Sequence, residues 1–215
     1  MNTLISASIL GADLSNISDD IQKVENSGID WIHYDVMDGL FVPNITFGEP
    51  FLKSISKKIH IPVDVHLMIV DPIRVIDNFA DLGSDLITFH FEAAEDSQAV
   101  INKIHSRGIK AGISIKPQTP VSEILPYIES VEMILVMTVN PGFGGQTFIT
   151  ETLDKVREVR SIIDKSEKNI YLQVDGGVNA QTAVDCRNAG ADVLVSGSYL
   201  FNTDNMRYAA DLLRG

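Results

Sequence analysis

Cysteine is nearly absent from this chain. Cys186 stands alone among 215 residues, so no internal disulfide can form, and a cysteine-rich metal centre is excluded. A lone thiol suits a reducing compartment and reads as space filling rather than as a nucleophile. Basic residues are also few: 17 Lys and Arg stand against 29 Asp and Glu, for a net charge of −12. That sign repels nucleic acid and anionic membranes, and no basic run or aromatic-basic interleaving offsets it. No apolar run approaches the roughly 18 residues of a membrane span. The start, Met1-Asn2-Thr3-Leu4-Ile5, lacks the basic flank and apolar core of a signal peptide. A cytoplasmic protein without nucleic-acid or membrane partners is therefore expected. The chain has no HExxH metal motif, no GxGxxG after its first apolar run and no Ser/Pro-rich linker.

What is present is an alternation of short apolar runs and helical patterns from end to end. Strands are expected at 4–10, 30–36, 61–67, 86–91, 109–115, 133–139, 170–174 and 191–196. Helices are expected near 19–27, 49–56, 96–106, 121–128, 150–164 and 205–213, with one more opened by Asp71-Pro72 and another capped by Asn179. Most strands are rich in Val, Ile and Leu, as parallel strands covered on both faces are. Eight strand-helix units in one chain favour a (β/α)8 TIM barrel, an α/β fold, as a single domain over residues 1–215. The recurring triplets Gly28-Ile29-Asp30, Gly83-Ser84-Asp85, Gly108-Ile109-Lys110 and Gly190-Ala191-Asp192 lead from helix ends into strands and read as stability features of the bottom face.

Chemistry in such a barrel lies at the C-terminal strand ends. There stand Ser8, the pair His33 and Asp35, His66, His90, Lys116, Met137, Asn140, Asp175 and Ser196-Gly197-Ser198. His33 and Asp35 are two apart, so both face inward together. His33, Asp35, His66 and Asp175, from three strands, can converge on one divalent ion of the zinc, iron(II), manganese or cobalt kind. Asp35 and Asp175 would stand apart across the mouth, where one could take a proton from a carbon beside a carbonyl and the other return one to the opposite face. An ordinary carboxylate, with a pKa of about 3.9, is a poor base for a carbon acid, so the metal would have to stabilise the developing charge. The alternative is that both Asp residues only ligate metal. His90 reads as a satisfied structural histidine. Glycine-rich turns at Gly142-Phe143-Gly144-Gly145, Gly176-Gly177 and Gly197-Ser198 follow the last three strands, where backbone amides can receive a phosphate. Met37, Met68 and Met137 also fall near strand ends.

Several of these segments resemble the ribulose-phosphate 3-epimerase family: Ala7-Ser8-Ile9-Leu10, His33 to Gly39, Phe41 to Gly48, His66-Leu67-Met68, Met137 to Gln146 and Val174 to Val178. The resemblance runs in order over nearly the whole chain. It implies a phosphate-binding TIM barrel that interconverts ribulose 5-phosphate and xylulose 5-phosphate in the pentose phosphate pathway. It further implies metal ligation by His33, Asp35, His66 and Asp175, with Asp35 and Asp175 as the two acid/base groups. Ser8 and His66 would contact the sugar, and Gly142, Phe143, Gly144, Gly145, Gly176, Gly177, Gly197 and Ser198 the phosphate end. Family members often form oligomers, which implies a homo-oligomer here. Ala7 stands where Pro is usual, and Gln173 where an acidic residue is common. The rival activities are a D-allulose-6-phosphate 3-epimerase and a non-catalytic sugar-phosphate sensor. Orotidine phosphate decarboxylases need Asp-x-Lys-x-x-Asp, and Asp35-Val36-Met37-Asp38 lacks the Lys.

Overall fold

A run such as Met133-Ile134-Leu135-Val136-Met137 has no polar face to offer water, and the fold buries it on both sides. The computed structural model describes residues 3–215. Eight strands, β1 (Leu4–Ser8), β2 (Trp31–Met37), β3 (Val63–Met68), β4 (Leu86–His90), β5 (Lys110–Ile115), β6 (Met133–Met137), β7 (Tyr171–Asp175) and β8 (Val193–Ser196), run parallel in sequence order. β8 pairs with β1 and closes the barrel. Outside it lie α1 (Ile17–Asn26), α2 (Glu49–Ile55), α3 (Ile76–Asp81), α4 (Ser97–Ser106), α5 (Thr152–Ile163), α6 (Ala180–Ala189), α7 (Ser198–Phe201) and α8 (Met206–Arg214). The fold is the (β/α)8 barrel that the alternation predicts.

Three local expectations are corrected. The helix expected at 121–128 is a 3-10 stretch, Val121–Ser130, with Pro126 inside it. Pro126 has no N–H to donate, and its ring crowds the carbonyl four residues back, so an α-helix cannot run through it. The first strand stops at Ser8 instead of Leu10, and Ile9–Gly11 form a 3-10 turn. Asp71 does not cap a helix: it sits at φ +49°, makes no side-chain capping bond and pairs with Arg74 at 2.9 Å. By contrast Asn179 caps α6 as expected, accepting from the N–H groups of Gln181 and Thr182 in a capping box.

The bottom of the barrel has a repeated device. Asp30, Asp85, Glu132 and Asp192 precede β2, β4, β6 and β8, and their carboxylates accept backbone N–H groups of Ile5, Val63, Ala111 and Leu172 on β1, β3, β5 and β7. The Gly-x-Asp triplets thus act as stability features in three of four cases. At Gly108-Ile109-Lys110 the pattern fails, because Lys110 is exposed and Glu132 supplies the carboxylate for that quarter. Above this ring, Leu86, Met133 and Val193, with Leu4, Trp31 and Tyr171, plug the barrel. Higher still the interior turns polar, with Ser6, His33, Asp64, Thr88 and Gln173 all buried. The bottom is dry and braced, and the top is where polar groups converge.

Candidate active site

Period-two alternation turns His33 and Asp35 inward from β2 and Asp64 and His66 inward from β3, and the register sets Asp35 beside His66. Asp175 enters from β7. One atom each of His33, Asp35, His66 and Asp175 lies within 4.8 Å of the other three. His66 Nδ1 is 3.1 Å from Asp35 Oδ1 and 3.8 Å from Asp175 Oδ2, while His33 Nε2 is 3.3 Å and 3.9 Å from the same two oxygens. Asp35 and Asp175 therefore come closer than carboxylates standing apart across the mouth, because both reach to the barrel axis. Ser8 Oγ donates to the other Asp35 oxygen at 2.6 Å.

The electrostatics of this cluster are severe. Burial works to raise the Asp35 carboxyl, but the imidazoles of His33 and then His66 outweigh it and hold that group well below the carboxylate range. Burial works to lower His33, yet Asp35 and Asp64 outweigh it and raise its pKa. Asp175 goes the other way: burial first, then the charge of Asp35, pushes it up to about 6. Two carboxylates and two imidazoles packed this tightly are the mixed N/O donor set of a first-row divalent cation, and their spacing fits one.

Behind the donors is a ring of partners that spacing alone does not reveal. His33 Nδ1 donates to Asp64 Oδ2 at 2.8 Å, which leaves Nε2 for the cluster. The same Asp64 oxygen accepts from Gln173 Nε2 at 2.7 Å, across the barrel from β7. His66 Nε2 is 3.0 Å from His90 Nε2, and His90 Nδ1 is 3.2 Å from Glu92 Oε2. Burial pushes His90 down to about 4. Glu92 is held at about 2 against the cost of its burial, by hydrogen bonds from His90, Thr119 and the backbone of Lys116. His90 thus has partners on both ring nitrogens, and one of them is His66 of the cluster.

A cavity of about 680 Å³ opens above the cluster. Ser8, Asp35, Asp175, Gly142, Phe143, Gly144, Gly145, Gly176, Gly177, Gly197 and Ser198 line it, as do Met37, Met68 and Met137. His33 and His66 are fully buried and do not line it, so they meet the cavity only through the donor cluster. On its far side the turn after β6 is shaped by Gln146, whose side-chain amide donates to the carbonyls of Asn140 (2.7 Å) and Phe143 (2.9 Å). Gly177 sits at φ +67°, where a Cβ would lie 2.7 Å from the Phe148 nitrogen, so only glycine fits. Ser198 begins α7, whose first N–H groups have no partner within the helix and suit an anion. Gly11 is an unforeseen member of this wall: a Cβ there would be 2.7 Å from both the carbonyl carbon of Gly197 and the nitrogen of Ser198. The tripeptide Leu10-Gly11-Ala12 carries no motif that could have marked it.

A family profile described as the ribulose-phosphate 3 epimerase family matches residues 4–201. A ribulose-phosphate 3-epimerase of Bacillus subtilis (strain 168) is 42% identical over 212 residues, spanning 98% of this chain and 98% of its own. That of Escherichia coli (strain K12) is 43% identical over 212 residues, covering 98% of this chain and 94% of its own. Among solved structures, KGPDC from Streptococcus mutans superposes with a TM-score of 0.75 at 13% identity, covering 99% of this chain and 96% of that one. The 3-hexulose-6-phosphate synthase from Salmonella typhimurium gives 0.71 at 18% identity, covering 100% and 97%. At such identities these two structures speak for the fold alone.

Proposed function

The chain belongs to the ribulose-phosphate 3-epimerase family, and on that premise we propose that it interconverts D-ribulose 5-phosphate and D-xylulose 5-phosphate by two-base proton transfer at carbon 3. It is a carbohydrate epimerase of the isomerase class, and the reaction belongs to the pentose phosphate pathway. The observation that carries the mechanism is the meeting of His33, Asp35, His66 and Asp175 at the base of a cavity walled by glycine turns on its other side.

Asp35 from β2 and Asp175 from β7 approach the barrel axis from different sides. One takes the proton from carbon 3 and the other returns a proton to the opposite face, which inverts that centre. Ser8 pins one Asp35 oxygen and leaves the other in the cluster. In the metal-free chain, burial and the charge of Asp35 push the Asp175 carboxyl up to about 6, so it takes a proton more readily than Asp35 does. One divalent ion, zinc, iron(II), manganese or cobalt, held by the four donors would supply Lewis-acid stabilisation of the charge that develops on the substrate oxygens. The turns at Gly142–Gly145, Gly176-Gly177 and Gly197-Ser198 receive the phosphate through backbone N–H groups, which suits a chain of net charge −12 with few cations to spare. The proposal takes residues 1–215 as one domain and places it in the cytoplasm, which suits a buried, unbridged Cys186. It includes a homo-oligomer, in which the exposed Leu40 and Ile45 would be covered by a second copy. Among the described residues no helix is long and apolar enough to cross a membrane.

Solvent deuterium exchange tests the proposal. Purified protein with a defined divalent metal is given ribulose 5-phosphate or allulose 6-phosphate in D2O. Label at carbon 3, with epimerised product and much faster with the pentose, is the expected result. Faster exchange with the hexose would change the substrate and leave the chemistry standing. No exchange with either, across several metals, would overturn the reading.

A further inference from the structure

Asn44, Gln146 and Asn179 bring side-chain amides to the cavity wall. Two of these amides are committed to the protein itself. Gln146 donates to the carbonyls of Asn140 and Phe143. Asn179 caps α6 with its oxygen, and its nitrogen lies 3.5 Å from the Gly177 carbonyl. Asn44 is different. Its Oδ1 accepts the Ile45 N–H at 2.9 Å, which decides which end of the amide is oxygen. Among the described residues its Nδ2 has no hydrogen-bond partner. The backbone around it is held firmly. The Asn44 carbonyl accepts the Gly39 N–H at 2.9 Å, and Ile45 bridges to Asp38. Thr46 Oγ1 donates to the Asp35 carbonyl at 2.7 Å and accepts the Met37 N–H at 3.0 Å. On the other side Val42 and Pro43 abut Gly142, where a Cβ would lie 3.3 Å and 3.2 Å from them. A donor held this way loses little conformational freedom when it binds.

We propose that Asn44 is a substrate-binding residue whose Nδ2 donates to the hydroxyl on carbon 1 of the ketose. The inference rests on the reaction of the preceding section and deepens it. The bonds to Gly39, Asp38 and Met37 place Asn44 above β2, and β2 lies across the closed barrel from β6. The glycine turns that would receive the phosphate follow β6, β7 and β8, with the donor cluster between them and β2. In an open-chain ketopentose phosphate, carbons 1 and 5 lie on opposite sides of carbon 3. With the phosphate on those turns and carbon 3 at the cluster, carbon 1 points to the β2 side. Its hydroxyl oxygen is uncharged and accepts hydrogen bonds. Met37 and Met68, which line the cavity there, have no donor to give, and Ser8 Oγ is committed to Asp35. The Asn44 amide is the side chain on that side with a donor to offer.

The test sets D-xylulose 5-phosphate beside 1-deoxy-D-xylulose 5-phosphate, which carries hydrogen in place of the carbon 1 hydroxyl and keeps the carbonyl, carbon 3 and the phosphate. Exchange of the carbon 3 hydrogen in D2O is followed for both, with the purified full chain and a defined divalent metal. Asn44→Asp keeps an oxygen for the Ile45 N–H and removes the donor, and Asn44→Ala removes the amide without adding charge. The unsubstituted chain is expected to favour xylulose 5-phosphate by about 3- to 10-fold in kcat/KM, the worth of one hydrogen bond. In both variants that preference should close to about one, because the hydroxyl and the amide then report the same bond. Variants that slow on both sugars alike and keep the preference would overturn the inference. So would an unsubstituted chain that handles the two sugars equally, even if neither variant folded. If the unsubstituted chain exchanged neither sugar, the epimerase reading itself would fall, a result distinct from a preference that survives in the variants.

Discussion

Asp175 shows what the site costs the fold. Its carboxyl titrates at about 6, raised from 3.8 by burial first and by Asp35 second. A raised folded-state pKa on an acid means that ionisation is resisted in the folded state. The penalty is absent below about pH 4, grows as the pH rises toward 6 and is complete above it. A rise of about two pH units corresponds to roughly 3 kcal/mol. Metal-free Asp175→Asn should therefore be more stable than the unsubstituted chain at pH 8, by an amount approaching that figure, and the two should converge near pH 4. Urea unfolding across that range checks it, and parallel curves at every pH would count against the charge conflict. The same substitution should cut turnover by about 10²- to 10⁴-fold, the usual worth of a general acid or base. Near-normal turnover in Asp175→Asn would sink the two-base scheme.

At the scale of single elements, two turns do opposite jobs at the two ends of the barrel. At the top, the 3-10 turn Ile9–Gly11 presses Gly11 onto the backbone of Gly197 and Ser198. In Gly11→Ala a methyl group has no room beside that backbone, so the start of α7 must shift. The expected result is a higher KM for the phosphorylated substrate, by about tenfold or more since a displaced wall loses oriented N–H groups, with metal affinity unchanged. Steady-state kinetics beside cobalt titration separates the two, and an unaltered KM would remove Gly11 from the phosphate wall. At the bottom, Asp192 accepts the Leu172 N–H at 2.9 Å and pairs with Arg160 at 3.0 Å. Asp192→Ala strands a strand N–H and should cost about 1–3 kcal/mol of stability with kcat unchanged. A large loss of kcat in protein that is still folded would contradict the division of the barrel into a bracing end and a working end.

For the whole molecule, an acidic chain of net charge −12 concentrates Asp35, Asp64 and Asp175 near one point on its axis. A bound divalent cation should then hold the fold together as well as serve the chemistry. Metal at 100 times its Kd adds about 2.7 kcal/mol, which for a chain of this size is a rise of roughly 5–10 °C in Tm. Calorimetry with and without a chelator measures it, and an unchanged Tm would argue against a cation bound by the folded state. Much of this architecture was legible in the order of residues. Apolar runs such as Met133 to Met137 and the two-residue spacing of His33 and Asp35 are local patterns, and strand geometry alone turns them into buried strands and a shared inward face. Pro126 lies inside the helix expected at 121–128, and its missing N–H is a local reason why that stretch is a 3-10 helix instead. What no local pattern carries is which side chains meet across the axis. Gln173 reaches Asp64 from a strand 109 residues away, Gly11 meets Gly197, and His66 meets His90. Those contacts exist only because the sheet closes, setting the register and stagger of eight strands at once. Residue order was enough for the alternation, the barrel and the shared inward face of His33 and Asp35, whereas closure of the barrel chose which side chains they meet.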